Sequence, residues 1–333
     1  MSNIIAFLQK SFQSLESGTI LPMGIIAHEL VKCAKANTYV ETLGNHADTL
    51  HSWIKKGYEI DFKLAFEHVV RKVIRRLCIS SAHIAVDFTS EPFYGKSVSL
   101  YLFNVEDEKW SAEFKYIVVS LITRNKQIPL MALPVRVGEG IARPTIQVLE
   151  YTMSLFKQVR FATFDRSFYC AEVIDYLEAN NIKYLILVPE KKGKISEYVE
   201  QTDTLGKFRH EMKYSKDKST WRPTTTIVVC KGIDEYPWIF ATNIRFYTRV
   251  EYIWWYKRRW QIETNFWVQD EARIKSKSCH HLIRFFYFLI SLLLHLLWIG
   301  HKNVKYYVPF KKYVDMIEIL LFQEFIGVMR IQT

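Results

Sequence analysis

The chain has 333 residues, enough for one large domain with appendages or for two to three small ones. Apolar residues make up 49% and charged residues 24%, ordinary globular usage, which excludes disorder for most of the chain and lets a sizeable core be buried. A formal charge of +11 points to an acidic partner, nucleic acid before an anionic membrane, although a merely basic soluble protein carries the same balance.

The opening MSNIIAFLQKSFQS has no basic stretch ahead of a long apolar run, so no secretion signal is read. Residues 1–60 are mixed in polarity and expected to be helical, with breaks near Gly18, Pro22, Gly44 and Gly57. Asp61 opens a clearer helix. Phe62, Ala65, Phe66, Val69, Val70, Val73, Ile74 and Leu77 recur every three to four residues and form one apolar stripe. Arg71, Lys72, Arg75 and Arg76 crowd its last turns, either as a solvated end or as a phosphate-contacting face.

The texture then changes to strands. Ile84 to Phe88 is short and apolar, Gly95 marks a turn, and Val98 to Phe103 alternates. Tyr116 to Ile122 and Ile128 to Val137 form two more runs, joined through Arg124, Asn125, Lys126 and Gln127. A helix is expected over Thr145 to Lys157, a strand over Phe161 to Asp165, a helix over Glu172 to Asn180 and a strand over Lys183 to Val188. Consecutive strands followed by helix–strand alternation predict a mixed α/β (α+β) sheet with helices on its faces.

Residues 191–234 are polar and basic, with possible strands at Phe208 to Tyr214 and Thr224 to Cys230; they are read as a β-rich insertion, a surface excursion or a DNA-contacting arm carrying Lys191, Lys192, Lys194, Lys207 and Arg209. Trp238 to Ile244 returns to strand, and a long helix follows from Arg249. Phe285 to Gly300, FFYFLISLLLHLLWIG, is about 16 residues long, short of the roughly 20 that span hydrocarbon, and is read as a buried helix rather than a membrane span. Residues 301–333 add a basic connector and one amphipathic helix.

Five widely spaced cysteines, none in a C-x-x-C pair, indicate neither a disulfide framework nor a zinc ribbon and suit a reducing cytosol. Cys279, His280 and His281 look like metal ligands by composition, but neighbours on a helix point in different directions.

Asp87 and Asp165 each end an apolar strand run, where carboxylates can converge above a sheet edge. A third carboxylate from a packed helix completes a set of hard oxygens suited to Mg²⁺. Each aspartate alone is more often a cap or turn residue. In YKRRWQIETNF, Tyr256, Arg259 and Glu263 stand three and four apart, on one helical face, and Asp270 lies seven beyond Glu263. The face joins a metal-binding carboxylate, a guanidinium that reads phosphate bidentately and a phenol; its bland counterpart is an intrahelical Arg–Glu pair.

Tyr-x2-Arg-x3-Glu in that setting resembles the helix signature of DDE-type insertion-sequence transposases, cut-and-paste enzymes with an RNase H-like core. AVDFTSEPFYGK is similar to the family's first-Asp segment and FATFDRSFYCAEVIDYLEANNIKYLILVP to its second, and the strand WIFATNI also fits. The order agrees over about residues 80–300, with 78 residues from Asp87 to Asp165 and 98 more to Glu263. The pattern continues with a Lys where this sequence has Asp270, with Arg273, Lys275 and Lys277 the nearest cations to replace it.

The resemblance implies an RNase H-like mixed sheet flanked by helices, with a helical N-terminal region (1–80, a candidate DNA-binding region), core segments at 81–190 and 235–300 around the insertion, and a C-terminal helical tail (301–333). It implies that Asp87, Asp165 and Glu263 hold two Mg²⁺, or Mn²⁺, for strand cleavage at element ends and strand transfer into target DNA. Tyr256 and Arg259, with Arg273, Lys275 and Lys277, would contact DNA. A homodimer on double-stranded DNA, in the prokaryotic cytoplasm with the nucleoid and away from membranes, is expected. Trp267 is expected to pack in the core rather than stack on an unpaired base, and His83 and Glu91 are expected to be structural. A catalytically inactive or domesticated DNA-binding derivative is the alternative, and a membrane-associated protein using residues 285–300 a third reading.

Overall fold

The computed structural model describes residues 2–13, 23–96, 98–105, 110, 112–123, 127–190, 193–216, 219–301 and 308–331. Gly18, Pro22, Arg124, Asn125, Lys126, Lys191, Lys192 and most of the connector after His301 lie outside the described residues. Among the described residues up to 80 the main elements are helices: α1 (Ser2–Ser11), α2 (Met23–Ala36), α3 (Asn45–Lys56) and α4 (Glu59–Arg76). The stripe expected on α4 is buried from Phe62 to Ile74, and its acids Glu59 and Asp61 stand in the first turn, its arginines 75 and 76 in the last, as the helix dipole favours.

The chain then builds β1 (Ser81–Phe93), β2 (Leu102–Asn104), β3 (Ala112–Ile122), β4 (Gln127–Pro134), α5 (Ala142–Leu155), β5 (Gln158–Phe164), α6 (Ala171–Ala179), β6 (Tyr184–Leu187), α7 (Lys194–Glu200) and β7 (Leu205–Glu211). A small hairpin, β8 (Tyr214–Lys216) and β9 (Ser219–Trp221), precedes β10 (Thr224–Cys230) and β11 (Trp238–Thr242). α8 (Arg249–Lys257), a 3₁₀ turn (Arg258–Trp260), α9 (Gln261–Asp270), α10 (His281–His301) and α11 (Phe310–Ile331) follow.

Nine strands form one mixed sheet in the order β2-β3-β1-β5-β6-β11-β10-β7, with β4 beside β2 on the outer edge of β3. β1 pairs antiparallel with β3 and parallel with β5, and β5 pairs parallel with β6. The long connections that parallel neighbours require contain α5 and α6. This is the mixed α/β sheet flanked by helices expected from the sequence.

Four expectations need correction. Val98 to Phe103 yields only the short β2, because Val98 and Leu100 are exposed and find no strand partner there. The 191–234 segment is β-rich but does not stand apart: β10 and β7 extend the main sheet, Cys230 facing Trp238 on one side and Leu205 on the other. The helix from Arg249 is interrupted at Arg258–Trp260, where Gln127 donates to the Arg258 carbonyl and Arg258 reaches the Thr123 carbonyl. The apolar run lies within a 21-residue helix, long enough and apolar enough to cross a membrane.

That helix is nonetheless inside the protein. Its most apolar stretch is 94% buried, against α3, α4, α9, α11 and β4. Within it, the buried Ser291 hydroxyl donates to the Tyr287 carbonyl. Leu293 is fully buried. Leu293→Ala is therefore expected to lower the unfolding free energy by roughly 2–5 kcal/mol, the cost of lost transfer energy plus the cavity left behind, read by denaturant titration; a loss below about 1 kcal/mol would contradict tight packing around α10.

Candidate active site

Asp87 is not at the end of its strand but in the middle of the thirteen-residue β1. What ends there is the parallel pairing: Val86 opposite Phe164 is its last pair, and Asp165 is the next residue after β5. The two aspartates thus follow the last shared rung of neighbouring strands. Two rings pin the segments beyond. Phe88 stacks on the buried Phe168 of the turn after Asp165, with centroids 4.7 Å apart and planes 5° from parallel.

α8 brings the third segment over this edge. Thr248 caps it by accepting from the Glu251 backbone N–H, while the Glu251 side chain accepts from Thr248 N–H in return, a reciprocal capping box. Tyr252 and Tyr256 bury their rings against Phe240. The 3₁₀ turn then tucks Arg259 inward, its side chain only 4% exposed. One residue into α9, Ile262 packs on Ala85 and Ile122, next to Asp87.

Arg259 is where the carboxylates meet. Nη1 donates to Asp87 Oδ2 in a very close contact; Nη2 lies 3.2 Å from Glu263 Oε1 and 3.8 Å from Asp165 Oδ1. The Tyr256 hydroxyl donates to Asp165 Oδ1 at 3.3 Å. Asp87 Oδ1 accepts from the Phe88 backbone N–H at 2.9 Å. The structure therefore brings together Asp87, Asp165, Glu263, Tyr256 and Arg259. The intrahelical Arg–Glu pair exists too, but as one arm of a larger cluster. Exposure rises from Asp87 to Glu263, whose side chain is 60% open to solvent, so the site opens on the Glu263 side.

Electrostatics follow from burial. Burial raises the Asp87 carboxyl to about 6, against the opposing pull of Arg259 and the Phe88 N–H. Burial would lower the Arg259 guanidinium, but Asp87, Tyr256 and Asp165 outweigh it and hold it above its ordinary value. Burial raises Tyr256, so its phenol stays a proton donor at neutral pH.

The donor set fits a hard cation. Three carboxylates from different elements already surround one positive group, and oxygen ligands of this kind suit Mg²⁺ or Mn²⁺. They surround Arg259 rather than one another: among the described residues no three His, Cys, Asp or Glu side chains stand close enough to share an ion. Arg259 is in effect the stand-in cation.

The remaining expected contacts fall in two groups. Lys275 and Lys277 are exposed beyond α9, Lys277 lying over the Tyr39 ring. Arg273 turns away from solvent to Asp270 and Glu91. Glu91 is buried and accepts from the Tyr116 hydroxyl at 3.3 Å. Burial raises the Glu91 and Asp270 carboxyls, with Arg273 opposing in both. His83 sits between the Phe161 and Trp255 rings. Trp267, expected in the core, is 76% exposed. His281 stacks on Tyr101, with centroids 4.0 Å apart.

Residues 143–298 match the family model described as "Transposase DDE domain". The matched range includes Asp165, Tyr256, Arg259 and Glu263 and begins after Asp87. No curated protein matches the chain. Among solved structures, a cryo-EM structure of a piggyBac transposase synaptic complex with hairpin DNA matches over all of this chain and 79% of its own, with TM-score 0.61 and 13% identity, a likeness of fold.

The raised Asp87 has a thermodynamic consequence. Its folded-state pKa, about 6, exceeds its ordinary 3.8, so the folded protein holds this proton more tightly than the unfolded chain. Stability from this group is present at low pH and lost as pH rises through about 6. Without divalent ions, lowering the pH from 7 to 4 is expected to raise the unfolding free energy relative to Asp87→Asn by up to about 3 kcal/mol. A difference that does not change with pH would contradict the burial of this carboxyl.

Proposed function

Taking as premise that the chain carries a DDE-type transposase domain over residues 143–298, we propose that it is a metal-dependent DNA transposase that cleaves strands at element ends and joins them to target DNA. The observation that carries this reading is the convergence of Asp87, Asp165 and Glu263 on one cationic group. The strand arrangement, antiparallel β3 and parallel β5 and β6 around β1, supports an RNase H-like core.

In this reading Asp87, Asp165 and Glu263 hold two Mg²⁺ or Mn²⁺ ions. Such ions would activate a water or hydroxyl oxygen and stabilise the leaving oxygen of an in-line displacement. In the first reaction the water oxygen bonds to phosphorus, the bond to the 3′-oxygen breaks, and the freed oxygen takes a proton. In the second, that 3′-hydroxyl attacks a target phosphodiester and displaces the target's 3′-oxygen.

The chain's own groups divide the remaining work. Arg259 holds the carboxylates through Nη1 and Nη2; with ions on those carboxylates, its planar fork would be freed for a phosphodiester's paired oxygens. Tyr256 fixes Asp165 through its hydroxyl and props the guanidinium, whose carbon lies 5.3 Å from the ring centroid. Lys275 and Lys277, exposed beyond α9, supply phosphate contacts whose affinity falls with salt. We place the protein on double-stranded DNA as a homodimer, in the cytoplasm and off the membrane.

Purified protein with Mn²⁺ and DNA carrying the terminal repeats that flank its coding sequence is expected to nick one strand. Asp165→Ala and Glu263→Gln are each expected to cut the rate at least roughly 10³-fold while leaving binding. Binding without nicking by the unaltered protein would favour the inactive DNA-binding derivative. Lys275→Ala with Lys277→Ala is expected to flatten the salt dependence of binding by about two units of log–log slope; an unchanged slope removes both lysines from the interface.

A further inference from the structure

We propose that Glu91, Arg273 and Asp270 form a positioning clamp that sets where Glu263 stands relative to Asp87. The inference rests on the metal-dependent reading of the site above.

α9 carries Glu263 near its start, and no side chain caps that end. Ile262 packs on Ala85 and Ile122, and Phe266 and Val268 pack against the main core. Apolar contacts set how deep this ten-residue helix, about 15 Å long, lies, but they are non-directional and leave its slide along its own axis open. A slide would carry the Glu263 carboxylate toward or away from the aspartates.

The far end of α9 is fastened to the strand that carries Asp87. Asp270 is the last residue of α9, and its Oδ1 lies 2.5 Å from Arg273 Nη2. Arg273 Nε lies 3.7 Å from Glu91 Oε1. Glu91 stands four residues after Asp87 on β1, so the two side chains leave the same face of the strand. Asp87 to Glu91 spans about 13 Å of strand, and Glu263 to Asp270 about 10 Å of helix. The Arg273–Glu91 ion pair therefore joins helix and strand by a directional contact away from the site, and that contact fixes the slide.

The clamp is built into the interior. Glu91 is 4% exposed and accepts a hydrogen bond from Tyr116 of β3. The buried Arg284 of α10 sits over the Phe93 and Phe114 rings, its Nε donating to the Ser278 carbonyl, and adds positive charge beside Glu91. From the helical N-terminal region, Asn37 donates to the Asp270 carbonyl. The clamp also accounts for the acid at position 270: Arg273 needs an anion there, and a lysine would set two cations side by side.

The test is Mn²⁺ binding to the metal-free full-length protein, followed by electron paramagnetic resonance, in Glu91→Gln, Asp270→Asn, Asp270→Lys and Asp270→Glu. The first three are expected to bind Mn²⁺ roughly 10- to 100-fold more weakly, and to need correspondingly more Mn²⁺ for half-maximal nicking with KM for DNA unchanged. Asp270→Glu, which keeps the charge, is expected to recover most of the affinity. Should Glu91→Gln fail to fold, Asp270→Asn decides, because that side chain is partly open to solvent.

Wild-type Mn²⁺ affinity in both Glu91→Gln and Asp270→Asn, or a gain of affinity in Asp270→Lys, overturns the clamp. If the unaltered protein nicks DNA and Asp165→Ala does not, that failure leaves the proposed function standing. If the unaltered protein binds no Mn²⁺, both fall.

Discussion

A guanidinium almost wholly shielded from water stays charged at acceptable cost only when anions surround it. Arg259 is in that position, and its counter-charges come from β1, the residue after β5, and α9. The constraint works in both directions. Arg259 needs the acids because it is buried, and Asp87, itself buried, needs Arg259 to offset the cost of ionising. Removing either partner strands the other, which makes this cluster the point through which the sheet edge and the α8–α9 segment depend on one another.

The scaffold meets that constraint with ordinary devices. The β1–β5 pairing stops one residue before the two aspartates, while Asp87 stays paired with Val118 of β3. Phe88 on Phe168 locks the two segments that leave it. The Thr248–Glu251 capping box fixes where α8 begins, and its tyrosines fix how deep it sits. The 3₁₀ turn is the step that aims Arg259 inward; a regular helix continuing through Arg258 would give up the contacts that hold it to Thr123 and Gln127.

What could be read from the sequence was what is encoded locally. The period of the apolar residues placed α4, and β-branched runs placed β3, β5, β6, β10 and β11. Asp165 and Glu263 could be singled out because one follows a strand and the other closes a helical spacing, whereas the strand end expected at Asp87 is the middle of β1. Features set by distant partners were not legible. The break at Arg258 depends on residues about 130 positions earlier. Whether the 191–234 segment stood apart or joined the sheet depended on β11 being available beside it. The pairing of Arg273 with Glu91 spans most of the catalytic region, and no local pattern announces it. Val98 and Trp267 show the reverse error, because alternation and aromatic character suggest burial only when a partner surface exists.

α10 bears on how the protein comes into being at the ribosome. It covers α3, α4 and β4, all of which emerge well before it. A nascent chain that has reached the end of α9 has therefore made every element of the sheet yet lacks the rod those faces close upon. Until α10 arrives, the unfinished polypeptide displays oily surface on its earlier helices, a state prone to clumping. Completion of the interior is thus a late event in synthesis, and a product that stops short of it would be left for chaperones or proteases rather than folding into a smaller working unit.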